Sequence, residues 1–129
     1  MELTLRAALI TWLQTDPGLA SQLNAIVEEA PSRTSLPWLA IAASASTDWS
    51  TKDRPGREVR VALELHCRAD QPGAAAALIT TIEARVAALP AAQTGFSVAS
   101  VQFLRARAEQ RSDSTRAVLV EYRFRLLGN

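Results

Sequence analysis

Two stretches of this chain alternate so regularly between apolar and polar residues that they fit half-buried β-strands and little else. From Glu58 to Arg68, one face takes Val59, Val61, Leu63, Leu65 and Cys67, and the other takes Arg60, Ala62, Glu64, His66 and Arg68. From Thr115 to Leu127, Val118, Val120, Tyr122, Phe124 and Leu126 point inward, while Glu121, Arg123 and Arg125 point outward. Successive side chains of a strand project to opposite faces, so each run demands a sheet with one covered and one open side. That is the habit of antiparallel sheets.

The cover comes from helical patterns. Leu5, Ala8, Leu9, Trp12 and Leu13 recur at spacings of three and four between Glu2 and Thr15, which makes one face of an amphipathic helix. Asp16-Pro17-Gly18 ends it, and Asp16 with Pro17 at the first helical position starts a short second helix from Gly18 to Leu23. After the Asp70-Gln71-Pro72-Gly73 turn, Ala75, Leu78, Ile79, Ile82, Val86 and Leu89 form a further stripe, stopped by Pro90.

The remaining segments fill in the sheet. Ala25-Ile26-Val27 reads as a short edge strand, and residues 31–37 as a loop. Trp38 to Ala45 reads as a strand, because Pro37 and the β-favouring Trp38 and Ile41 outweigh the alanines. Ser46 to Arg57 is a long polar loop. Phe96 to Ala108 is a strand whose apolar phase slips from Phe96 and Val98 to Val101 and Phe103, which calls for a bulge near Ala99-Ser100. Glu109 to Ser114 is a charged hairpin tip. The expected fold is α+β: a mainly antiparallel four- to five-stranded sheet with two helices packed on one face, in a single domain spanning residues 1–129.

Composition narrows the function. The 129 residues are 48% hydrophobic and 21% charged, a globular balance, and the net charge of +1 argues against binding nucleic acid through bulk charge. One cysteine excludes an internal disulfide and a multi-cysteine zinc site. His66 and Cys67 are neighbours in a strand pattern, so they face opposite ways and cannot share one tetrahedral metal. The carboxylates Glu28, Glu29, Asp48, Asp53, Asp70, Asp113 and Glu121 show no motif, and there is no Gly-x-Gly-x-x-Gly or Gly-Lys-Ser/Thr loop. No catalytic residue, metal ligand or cofactor is therefore expected. No basic leader precedes the first apolar run, and no run approaches about 18 apolar residues, so the expectation is a soluble, cytoplasmic chain with a reduced thiol and no membrane contact.

The candidates that remain are partner contacts. Trp49 stands in the polar loop with Lys52, Asp53, Arg54 and Arg57; a large aromatic there either pins the loop to the body or projects toward a partner. Arg105, Arg107, Arg111, Arg116, Arg123 and Arg125 crowd the last hairpin around Asp113. They read as phosphate contacts, as a charged solvent face, or as a subunit interface facing acids such as Glu64, Glu109 and Glu121. The near-zero net charge favours the last two.

The order of segments resembles a known family. LRAALITWLQTDPGLASQL is followed by SLPWLAIAASASTDWST, EVRVALELHCRA, IEARVAALP and VQFLRARAEQRSDSTRAVLVEYRFRLL. This sequence of pieces is similar to the small tail-terminator, or head-to-tail joining, proteins of long-tailed phages and phage-like gene transfer agents. The similarity spans nearly the whole chain. Its best-matching parts are the first helix with its Asp-Pro-Gly-Leu break, Leu36-Pro37-Trp38, and the arginine-rich final hairpin.

The resemblance implies a non-enzymatic virion protein at the neck of the particle, assembled in the bacterial cytoplasm. It implies a homohexameric ring that caps the tail tube, contacts the major tail tube protein and the head-tail connector or stopper, and lets double-stranded DNA through its lumen without sequence readout. Axial contacts fall to the loop carrying Trp49, Lys52, Asp53, Arg54 and Arg57, then to the hairpin with Arg111, Asp113 and Arg116. Arg123 and Arg125 are the further interface candidates. The competing readings are a small ferredoxin-like ligand-binding domain acting as a dimer, and a nucleic-acid module using the arginine hairpin.

Overall fold

The computed structural model describes residues 1–111 and 114–129. Three helices, α1 (Glu2–Gln14), α2 (Pro17–Gln22) and α3 (Pro72–Ala87), accompany five strands: β1 (Ile26–Val27), β2 (Trp38–Asp48), β3 (Gly56–Arg68), β4 (Phe96–Gln110) and β5 (Thr115–Gly128). The strand order across the single sheet is β1-β2-β3-β5-β4.

Local chemistry sets the helix limits. The Asp16 carboxylate accepts the Leu19 backbone N–H at 3.0 Å, and Pro17 occupies the first turn of α2, so the break after α1 doubles as a helix start. Pro72 opens α3 in the same way, at a position whose N–H has no helical partner to lose.

The alternating strands pair as their pattern demands. β3 runs antiparallel to β2 on one side and to β5 on the other, with Val59, Val61, Leu63 and Leu65 facing the helices. Leu5, Leu9 and Leu13 of α1 and Leu78, Ile82 and Val86 of α3 close that face, and with Phe124 and Leu126 of β5 they make one continuous core. β4 adds Phe96 and Val98 to it; from Ala99 onward no β4 residue is buried, because the strand runs out past the helices.

The α+β architecture agrees with the sequence reading, with two differences of detail. The sheet is mixed: β1 lies parallel to β2, because residues 28–37 carry the chain back to start β2 in the same direction. The short second helix expected from Gly18 to Leu23 is present as the six-residue α2 beside the two long ones. The polar loop is shorter than composition suggests. Thr47 and Asp48 pair with Glu58 and Arg57, leaving only residues 49–55 between strands, since polar residues suit a ladder that is exposed on both faces at its end. The bulge expected near Ala99 is present between Val98 and Ser100, and a second follows between Phe103 and Arg105.

Candidate partner-contact surfaces

The candidate residues fall into two groups at opposite ends of the sheet and a third on its open face. The loop after β2 lies beside the end of β5, where Gly56 pairs with Leu127. The hairpin between β4 and β5 lies beside the end of β3, where Arg68 pairs with Thr115. Thirteen residues of β3 separate them, about 40 Å at the usual strand rise.

The loop is a built structure. The Trp49 N–H donates to the Gly56 carbonyl at 3.0 Å, and Thr51 and Arg54 close a turn through a 2.9 Å backbone bond. Arg54 reaches back from that turn: its Nε donates to the Gly128 carbonyl at 2.8 Å. Arg54 is thus a strut that ties the loop to the end of β5. The half-buried Trp49 ring lies 5.5 Å from the Arg125 guanidinium, a cation–π distance that holds the loop against the body. Lys52 and Asp53 are exposed at the loop's outer side, and Arg57 is exposed at the start of β3.

At the other end, Arg111 is exposed and pairs with Glu109 at 3.1 Å. Arg116 stands opposite Cys67 on the helix side of the sheet, so it does not share the open face with Arg123 and Arg125. Asp113, expected at this tip, lies outside the described residues.

Register settles where the arginines of the last hairpin point. Arg105 pairs with Glu121 and Arg107 with Leu119, so both lie on the same open face as Arg123 and Arg125. The acids there are partnered within the chain. Glu121 takes two bonds from Arg105, at 2.9 and 3.1 Å, and this pairing holds its carboxyl below the usual range. Glu58 lies 3.2 Å from Arg125 and 3.4 Å from Arg123, Arg123 also bonds Gln102, and Glu109 holds Arg107 at 2.9 Å. The face carries both signs, with arginine in excess: Glu58 is shared by two arginines, and Arg60 stands directly across from Arg123.

Trp38 is buried, but on the open side of the sheet. Leu39 and Ile41 take the core positions of β2, so Trp38 faces the open side and stacks on His66, with ring centroids 4.0 Å apart and planes 8° from parallel. Cys67 is 5% exposed on the helix side, and burial pushes its thiol pKa up.

Two further features have no signature in the sequence. The first is a pair of free sheet edges. β4 is the last strand on one side, and on the other β1 covers only Leu39 and Ala40 of β2, so among the described residues Ala43–Asp48 have no strand beyond them. The second is a groove of about 200 Å³ between α3 and β4, lined by Glu83, Ala87, Val101, Phe103 and Tyr122. A depression of about 450 Å³ between α1 and residues 89–93 is lined by no ionisable side chain.

Long strand ladders, two free sheet edges and one braced loop are what these surfaces offer. Residues 7–127 match the family described as tail completion protein gp17, and the chain belongs to that family. It is accordingly a structural tail protein of phage type and not an enzyme. Its fold is similar to that of a chain in the virion of a native gene transfer agent particle, with a TM-score of 0.79 and 21% identity over 97% of this chain and 96% of that one. No individually curated protein matches the sequence.

Proposed function

We propose that this tail protein is a tail terminator: a single-domain subunit, six to a ring, that caps the tail tube and joins it to the head connector or stopper at the neck of the particle. The observation that carries the reading is the pair of unlike free edges, β4 on one side of the sheet and the Ala43–Asp48 half of β2 on the other. Two different patches on one subunit make a head-to-tail contact, and such contacts close into rings when the rotation between copies allows. β2 and β4 run in opposite directions within the subunit, so edge-to-edge addition continues the antiparallel alternation.

The ends and the open face fit the same reading. Lys52, Asp53 and Arg57 at one end, and Arg111 and Arg116 at the other, supply the axial contacts to the tube protein and the connector. A face on which Arg105, Arg107, Arg123 and Arg125 are engaged by Glu58, Glu109 and Glu121 offers DNA phosphates a weaker grip than the same arginines unpaired, which suits passage of a duplex without sequence readout. Particle neck is the destination and the bacterial cytoplasm the place of assembly.

The test is mass measurement in solution together with negative-stain images of tail tubes with and without the protein. A closed ring, or a monomer that assembles only on tube ends, is expected, with tubes of uncontrolled length when the gene is deleted. Unchanged tube length and unimpaired joining in the deletion strain overturn the reading.

A further inference from the structure

Among the described residues, two large hydrophobic side chains stand exposed: Leu3 at 75% and Phe103 at 47%. They lie at opposite edges of the sheet, yet on the same, helix-bearing side. Phe103 packs edge-on against Tyr122, with centroids 5.7 Å apart, in the groove behind the free edge of β4. Leu3 shares a flank of α1 with Arg6, Ile10 and Gln14, three, seven and eleven residues on. That flank overhangs the β1–β2 edge: Arg6 reaches Glu29 at 3.0 Å, and Gln14 donates to the Ile26 carbonyl at 2.7 Å.

The two residues are also level with one another. Phe103 pairs with Tyr122, Tyr122 with Val61, and Val61 with Ser44, so one row crosses the sheet from the β4 edge to the β2 edge. The Ser44 hydroxyl donates to the Glu2 carboxylate at 2.6 Å, which fixes the first turn of α1 over the β2 end of that row. Extending the sheet from the β4 edge of one copy to the β2 edge of the next sets Leu3 of one beside Phe103 of the other.

The polar groups at the two ends are complementary. Tyr122 is 3% exposed, and among the described residues its hydroxyl has no hydrogen-bond partner. A buried, unpaired hydroxyl is costly and marks a place where a partner atom is missing. Glu83 adds a carboxylate at the rim. The first backbone bond of α1 is from the Leu5 N–H to the Met1 carbonyl, so the N–H groups of Glu2, Leu3 and Thr4 are free of helical partners and carry the positive end of the helix dipole.

We propose that the first turn of α1 of one copy docks into the Phe103–Tyr122 groove of the adjacent copy, Leu3 covering Phe103 and the free N–H groups facing Tyr122 and Glu83. The occupant is a second copy of this chain, and the proposal rests on the ring reading above. It names the interface that the ring uses on its helix-bearing side, where edge-to-edge strand pairing alone would leave both apolar side chains in water.

The test is a disulfide ladder. Leu3→Cys and Phe103→Cys are combined in a Cys67→Ala background. Within one chain the two positions are separated by three strand spacings, about 14 Å, beyond the reach of a disulfide. Oxidation is expected to give a ladder of linked subunits ending in a closed species, while each single-cysteine chain gives dimers at most. Separately, Leu3→Ser, at a site too exposed to affect the monomer's melting, is expected to weaken self-association about tenfold or more, as loss of a buried leucine contact should. Phe103→Ser should do the same. Rings of normal mass that give no ladder and are indifferent to Leu3→Ser overturn this interface and leave the ring reading standing. A wild-type chain that associates neither with itself nor on tube ends overturns the ring reading and this interface together.

Discussion

Trp12 and Arg85 hold each other reciprocally. The Trp12 indole N–H donates to the Arg85 carbonyl at 2.7 Å, the Arg85 Nε donates to the Trp12 carbonyl at 3.0 Å, and the guanidinium lies 3.3 Å from the indole centroid. Both carbonyls belong to the last turns of their helices, α1 and α3, where the dipole is negative; that of Arg85 also accepts the Ala88 N–H at 3.2 Å, and that of Trp12 the Thr15 hydroxyl at 2.9 Å. One arginine therefore caps one helix, lies beside the negative ends of both, and stacks on the aromatic between them.

This clamp predicts that Arg85→Ala lowers stability by about 2 kcal/mol, the sum of a lost charge-assisted bond and a lost stacking contact. Arg85→Lys should recover less than half of that, because an ammonium keeps the charge but loses the planar fork. Urea denaturation of the isolated subunit measures both, and a lysine variant as stable as the parent counts against the clamp.

Why Trp12 was legible only as a core residue shows where sequence reading stops. Its helical spacing gives the side it faces, but its partner is 73 residues away and is set by how α1 and α3 lie on the sheet. The strands β3 and β5 were legible because alternation reports a covered and an open face directly. The parallel setting of β1 was not, since two residues carry no periodicity. The candidate surfaces divide in the same manner. Composition found the loop around Trp49, but Arg54 looks identical to a free loop cation until its bond to Gly128 closes it. The free edges and the Phe103–Tyr122 groove depend on strand order and register, which no local pattern encodes.

Gly56 tests the bracing of that loop. A Cβ there would lie 2.3 Å from the Trp49 carbonyl oxygen and 2.9 Å from that of Leu126, and neither obstacle is a side chain able to swing aside. Gly56→Ala is expected to cost about 2–4 kcal/mol, in the range of severe steric changes. Gly73→Ala is the control: nothing lies within 4 Å of its Cβ, and the position is helical, so stability should hold or rise by about 0.5 kcal/mol. Thermal melting compares the two, and equal effects would refute the steric account.

Cys67 should be inert in the folded subunit. It is 5% exposed, and burial raises its thiol pKa, so both access and the thiolate fraction are low. Labelling by an aromatic disulfide reagent is expected to be slow in native buffer and to accelerate in step with unfolding as urea is added. Rapid stoichiometric labelling of the native chain would contradict this burial.

Tyr122 is the sole tyrosine, so its ionisation can be followed directly by the ultraviolet absorbance of tyrosinate. Burial, and after it the nearby Glu83 carboxylate, push its phenol up to about 12, from an ordinary value of about 10. The folded state thus keeps this proton where the unfolded chain releases it. The resulting contribution is whole below about pH 10 and disappears as the pH climbs through about 12, a span corresponding to about 2–3 kcal/mol. Replacing the phenol removes both the titration and the buried, unpartnered hydroxyl. Tyr122→Phe is therefore expected to leave the isolated subunit as stable at neutral pH or slightly more so, and to flatten its loss of stability in alkali. Denaturation midpoints of the two chains across the alkaline range decide the matter, and parallel curves would show that Tyr122 titrates alike in the folded and unfolded states.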